Sequence, residues 1–136
     1  MKPWIMPTFG AFVVWGLWSF IPKITVRYIS PKSAVVYEVL GGILVAIAVL
    51  YTMNFRPDMH PKGVALGITT GLLGFLGALF FLFAVSAGPV SLIVSLTALY
   101  PVISILLAVF ILQEPITLKQ GLGISFALVA MLLVAS

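Results

Sequence analysis

Ser33-Ala-Val-Val-Tyr-Glu-Val-Leu-Gly-Gly-Ile-Leu-Val-Ala-Ile-Ala-Val-Leu-Tyr-Thr-Met53 is an apolar run with one charged residue, Glu38. As a helix, about 21 residues reach roughly 31 Å, enough to cross the hydrocarbon core of a bilayer. Glu38 lies five residues inside the run, below the headgroups. A carboxylate at that depth costs on the order of a few kcal/mol unless it is protonated, paired or hydrated. Gly41 and Gly42 follow one turn later, beside the same face, and let a second helix approach closely. This stretch decides the fold class: an all-α integral membrane protein.

The rest of the chain agrees. Of 136 residues, 62% are hydrophobic and 7% charged, against about 25% charged in an ordinary soluble domain. There is no cysteine, which excludes disulfides and thiolate metal sites. His60 stands alone in a polar loop, so no metal and no cofactor is expected. The net charge of +4 does not point to nucleic acid, because the seven Lys and Arg are scattered as membrane topology signals are. Lys2 precedes an apolar run that continues past Trp15 with no small-residue cleavage site, which reads as a retained span. No Ser/His/Asp set, phosphate-binding glycine loop or pair of carboxylates is present, so the reading is not an enzyme.

Five apolar segments are separated by short turns, giving expected transmembrane helices at about 8–28, 33–53, 62–85, 90–112 and 118–135 in one domain, 1–136. The first is expected to bend at Pro22 and the fourth at Pro101. The turns are Ile29-Ser30-Pro31, the polar Asn54-Phe-Arg-Pro-Asp-Met-His-Pro61, Ala87-Gly88-Pro89 and Gln113-Glu-Pro-Ile-Thr117. Five spans put the termini on opposite sides. Lys2, Arg56, Lys62 and Lys119 then share the N-terminal face, and Arg27 and Lys32, with Lys23 if it snorkels out, share the other. This weak bias favours a cytoplasmic N-terminus and also suits a chain inserted both ways.

Several polar and small residues fall inside the spans. Lys23 is seven residues before Ser30 and Glu38 seven after Pro31. In a hairpin of equal rises both lie roughly 10 Å from the turn, so an ion pair between them is possible; the alternative is a snorkelling lysine and a structural acid. Trp15 and Trp18 share a face of the first helix and suit either an aromatic wall for an apolar or cationic solute or helix packing. Trp4 reads as an interfacial anchor. Tyr37 can donate to a site at Glu38 or face lipid. Pro101 frees the carbonyl of Thr97, which with Tyr100 and Ser104 puts polar groups near the midplane, as a hinge or a solute contact. Gly63, Gly67, Gly71 and Gly74 form a small-residue stripe suited to helix packing, the role also given to Ser91 and Ser95. Glu114 reads as a helix-end residue.

Four motifs, in order, resemble the EamA domain of the drug/metabolite transporter superfamily. Trp15-Gly16 with Lys23 is similar to its first-helix pattern, and Ser30-Pro31 to the turn that opens its second helix. Leu99-Tyr-Pro101 through Phe110-Ile-Leu-Gln-Glu114 resembles its fourth helix. Ile116-Thr117 with Gln120 and Gly123 resembles the start of its fifth. The resemblance covers nearly the whole chain and implies one five-helix half-transporter repeat. It also implies a small secondary transporter of the cell (inner) membrane, an exporter of a metabolite or drug-like solute. At position 38 the commoner family residue is Arg, so the sign of the charge is reversed here. Many relatives carry two such repeats with inverted topology, and one repeat alone implies a dimer. An antiparallel homodimer is favoured, with a parallel dimer or a heterodimer as alternatives. The expected partners are a small-molecule solute, a proton and the lipid bilayer. A non-transporting membrane subunit and a translocator of lipids or lipid carriers are the competing functions.

Overall fold

Proline and glycine punctuate the apolar runs, and the helices follow that punctuation. The computed structural model describes residues 3–135; Lys2, counted above among the basic residues of the N-terminal face, lies outside them. The described elements are α1 (Ile5–Thr25), α2 (Pro31–Thr52), α3 (Pro61–Ala87), α4 (Val90–Thr97), α5 (Tyr100–Ile111) and α6 (Leu118–Ala135). No strand occurs among the described residues. The segments Ile5–Thr25, Pro31–Thr52, Pro61–Ala87 and Val90–Ile111 are long and apolar enough to cross a membrane. α6, of 18 residues, is the shorter fifth apolar segment, about 27 Å long.

Two compact units divide the chain, one of residues 1–87 and one of 88–136. In the first, α1 and α2 each pack on α3. α1 runs on through Pro22, its buried residue, and stops at Thr25, earlier than the 28 expected. The cause is a tightening of the backbone: Arg27 N–H donates to Ile24 O and Tyr28 N–H to Thr25 O at 3.1 and 3.0 Å, bonds of i→i+3 type that end an α-helix. α2 then starts at once. Ser30 has extended backbone and its hydroxyl accepts from Ser33 N–H at 3.3 Å, with Pro31 at the first helical position, where its missing N–H costs nothing. α2 ends by a left-handed turn: Asn54 and Phe55 have φ of 51° and 55°, and Phe55 N–H returns to Leu50 O at 2.9 Å, closing orphan carbonyls as a C-terminal cap does.

α3 is unevenly covered. Residues 61–77 are exposed, whereas Ala78, Phe81, Leu82 and Val85 are buried. Their i, i+3, i+4, i+7 spacing makes one stripe, and with Ala34 of α2 they form the core at the end where α1 finishes and α2 begins.

In the second unit α4 packs on α6. The segment expected as one helix over 90–112 is divided: α4 ends at Thr97 and α5 begins at Tyr100. Pro101 has no N–H to return to Thr97 O, and the chain answers with i→i+3 bonds, Leu99 N–H to Leu96 O at 3.2 Å and Val102 N–H to Leu99 O at 3.0 Å. After α5, Gln113 adopts φ 54° and Glu114 N–H donates to Ala108 O at 3.3 Å. α6 opens with a capping box: Thr117 N–H donates to Gln120 Oε1 at 2.9 Å, and Gln120 N–H to Thr117 Oγ1 at 3.3 Å.

Candidate solute site

Glu38 is the eighth residue of α2 and is half-buried. Its neighbours along the helix show which way that side turns. Ala34, one turn before, is 1% exposed, and a Cβ at Gly42, one turn after, would lie 3.1 Å from Phe75 Cζ of α3. Residues at i, i+4 and i+8 lie on one face, so the Glu38 side of α2 is the side that packs on α3. Within residues 3–87, no described group hydrogen-bonds or ion-pairs with the carboxylate.

Lys23 is engaged elsewhere. Its Nζ donates to the carbonyl oxygen of Val85, on α3, at 2.7 Å. No ion pair between Lys23 and Glu38 occurs among the described residues of 3–87. Five residues before Lys23, Trp18 stacks on Phe81, ring centroids 5.5 Å apart and planes at 28°. Trp18 is therefore committed in part to packing, whereas Trp15 is 61% exposed and Tyr37 63% exposed.

The glycines separate by face. Gly42 meets α3, but a Cβ at Gly41, Gly67, Gly71 or Gly74 would have nothing within 4 Å, and one at Gly63 would meet only His60 Cβ, at 3.9 Å. The α3 stripe thus lies open among the described residues.

In the second unit, Tyr100 is exposed at the start of α5 and Pro101 is half-buried beside it. Thr97 turns its hydroxyl back onto its own helix, to Ile93 O at 2.8 Å and Val94 O at 3.1 Å. Ser95 does the same to Ser91 O at 2.9 Å. These hydroxyls satisfy themselves locally, which spacing alone did not reveal. The Lys23–Val85 bond was also missed in the sequence. Its one signal is Pro89, four residues after Val85, which removes the amide that would have served that carbonyl.

Four segments long and apolar enough to cross a membrane define the class: a multi-pass α-helical membrane protein. The chain belongs to the EamA-like transporter family, whose model matches residues 2–136. Members of this family are transporters of small-molecule solutes across membranes and not enzymes. The chain is 32% identical over 130 residues to the uncharacterized transporter YyaM of Bacillus subtilis, covering 92% of this chain and 42% of that protein. It is 27% identical over 123 residues to the uncharacterized protein MJ1333.1 of Methanocaldococcus jannaschii, covering 90% of this chain and 89% of that one. The chain therefore spans less than half of the Bacillus relative and nearly all of the archaeal one. No solved structure matches it.

Proposed function

We propose that this chain is one half of a small secondary transporter, an exporter of a metabolite or drug-like solute in the inner membrane, and that it works as a dimer. Glu38 holds a proton or a cationic solute, one at a time. The observation that carries this reading is the position of Glu38: half-buried on the α3-facing side of α2, with no partner among the described residues 3–87. A carboxylate kept in that position costs stability, and such groups mark solute or proton pathways. Trp15 of α1 and Tyr37 of α2 offer aromatic faces for a cation. Tyr100 and the break before Pro101 supply a second polar point and a hinge.

The lengths of the relatives suit two copies of this chain. The archaeal protein has about the length of this chain, and the Bacillus protein has room for two such lengths. The open α3 glycines provide surface for a second copy to approach. The antiparallel arrangement is favoured because the basic residues give little preference between faces.

The test uses proteoliposomes loaded with a pH-sensitive dye and given a lipophilic organic cation. Cation entry coupled to proton exit, lost in Glu38→Gln, supports the exchange. Cation flux that ignores a pH gradient sinks the proton coupling. No flux from this chain alone, with flux restored by a second chain, turns the reading to a heterodimeric subunit. Cysteines at Ser30 and Asp58, at opposite ends of α2 in a cysteine-free background, read the orientation. Labelling of each from both sides of the membrane supports the antiparallel dimer, and labelling from one side rejects it.

A further inference from the structure

The last carbonyls of any helix lack intrahelical donors. Val85 is third from the end of α3, and the residue whose amide would serve it in a continued helix is Pro89. Proline has no N–H to give. In an apolar environment water cannot make good the loss, so an unserved carbonyl there is costly. The donor found at Val85 O is the Lys23 ammonium, 2.7 Å away and 62 residues earlier in the chain. A cation at the C-terminal end of α3 also meets the negative end of that helix's dipole.

We propose that Lys23 is a positioning residue: its ammonium supplies the hydrogen bond that Pro89 withholds from Val85, and so fastens the last turn of α1 to the last turn of α3. The Trp18–Phe81 stack, five residues below on α1 and four below on α3, is the second point of the same attachment, and two contacts at offsets within one residue of each other hold the two helices parallel. Lys23 is on this account not a solute ligand. The inference rests on the backbone chemistry of α3 and is independent of the transport reading.

A double-mutant cycle on the full chain in nanodiscs tests it. Lys23→Met lowers the thermal unfolding midpoint by several degrees. Pro89→Ala returns an amide to the turn, and in that background the loss from Lys23→Met falls to less than half. Equal losses in both backgrounds, or no loss in either, would overturn the proposal. Should Lys23→Met yield no folded protein, its recovery in the Pro89→Ala background supports the proposal, and failure to recover beside a folded Pro89→Ala protein rejects it. Emission from Trp18, made the sole tryptophan by Trp4→Phe and Trp15→Phe, gives a reading that does not involve Pro89. Lys23→Gln shifts the Trp18 spectrum and Lys23→Arg, which keeps a charged donor, restores it. Identical spectra for all three side chains at position 23 would show that Lys23 does not position α1.

Discussion

Trp18 of α1 and Phe81 of α3 lie face to face with ring centroids 5.5 Å apart. Phe81 is 7% exposed and Trp18 is 40% exposed, so the pair seats the inner ring in the core and leaves the outer one at its edge. Such a pair contributes about 0.5–1.5 kcal/mol beyond the area it covers. Phe81→Ala is therefore expected to destabilise the unit more than Trp18→Ala. The double variant should fall short of the sum by about 0.5–1.5 kcal/mol. Unfolding in mixed micelles across the four proteins measures the coupling, and strict additivity would show that the rings do not stabilise each other.

Gly41 and Gly42 are adjacent but meet different surroundings. A Cβ at Gly42 would lie 3.1 Å from Phe75 Cζ, and one at Gly41 would meet nothing within 4 Å. Gly41→Ala is expected to be neutral or stabilising, by up to about 1 kcal/mol, through the lower backbone entropy of alanine in a helix. Gly42→Leu should separate α2 from α3 and destabilise the unit, and Phe75→Ala in the same chain should recover part of the loss. Paired thermal midpoints decide. Equal effects at the two glycines would contradict the face assignment.

Glu38→Gln keeps the shape of the side chain and removes its charge. The carboxylate has no partner within residues 3–87, so the substitution should leave the midpoint unchanged or raise it while abolishing proton-coupled flux. Removing an unpaired charge from an apolar setting relieves a cost rather than breaking a bond. A large fall in stability would show that Glu38 serves the fold instead.

Pro101→Ala restores a donor for Thr97 O and should join α4 to α5. Spin labels at Leu92 and Ile111, both exposed, would then sit about 28 Å apart along one straight helix. The distance distribution should narrow toward that value, and transport should slow if the break is a hinge. An unchanged distribution would place the cause of the break outside Pro101.

Thr117→Ala removes one half of the box that opens α6, including the acceptor for Gln120 N–H. The expected cost is about 1 kcal/mol, confined to the first turn of α6. Amide exchange should speed up at residues 118–121 and stay the same in α1–α3. Uniform acceleration would mean that the cap supports more than its own helix.

Much of this molecule is local in origin. The apolar run from Ser33 to Met53 makes a spanning helix, because each backbone group must be satisfied within the segment when no water is at hand. The Ser30-Pro31 start and the Thr117-to-Gln120 box are set by side chains within four residues of the amides they serve. The division near Pro101 follows from one missing amide. The positions of Glu38, Trp15 and Trp18 inside helices were legible for the same reason.

Tertiary structure alone decided which face of each helix is which. A span that is apolar on every side carries almost no record in its sequence of the direction in which it packs. Gly42 rather than Gly41 meets α3, the glycines of α3 stay open, and the side of α2 bearing Glu38 turns inward. One partner of Lys23 is a carbonyl 62 residues away, and a backbone oxygen has no residue identity for a sequence to display. Equal spacing of Lys23 and Glu38 about the Ser30-Pro31 turn did not make them a pair: Lys23 bonds to Val85 O, and no described group within residues 3–87 pairs with Glu38. Local hydrogen bonding determined where this chain is helical. The rotation and register of each helix came from its contact with another.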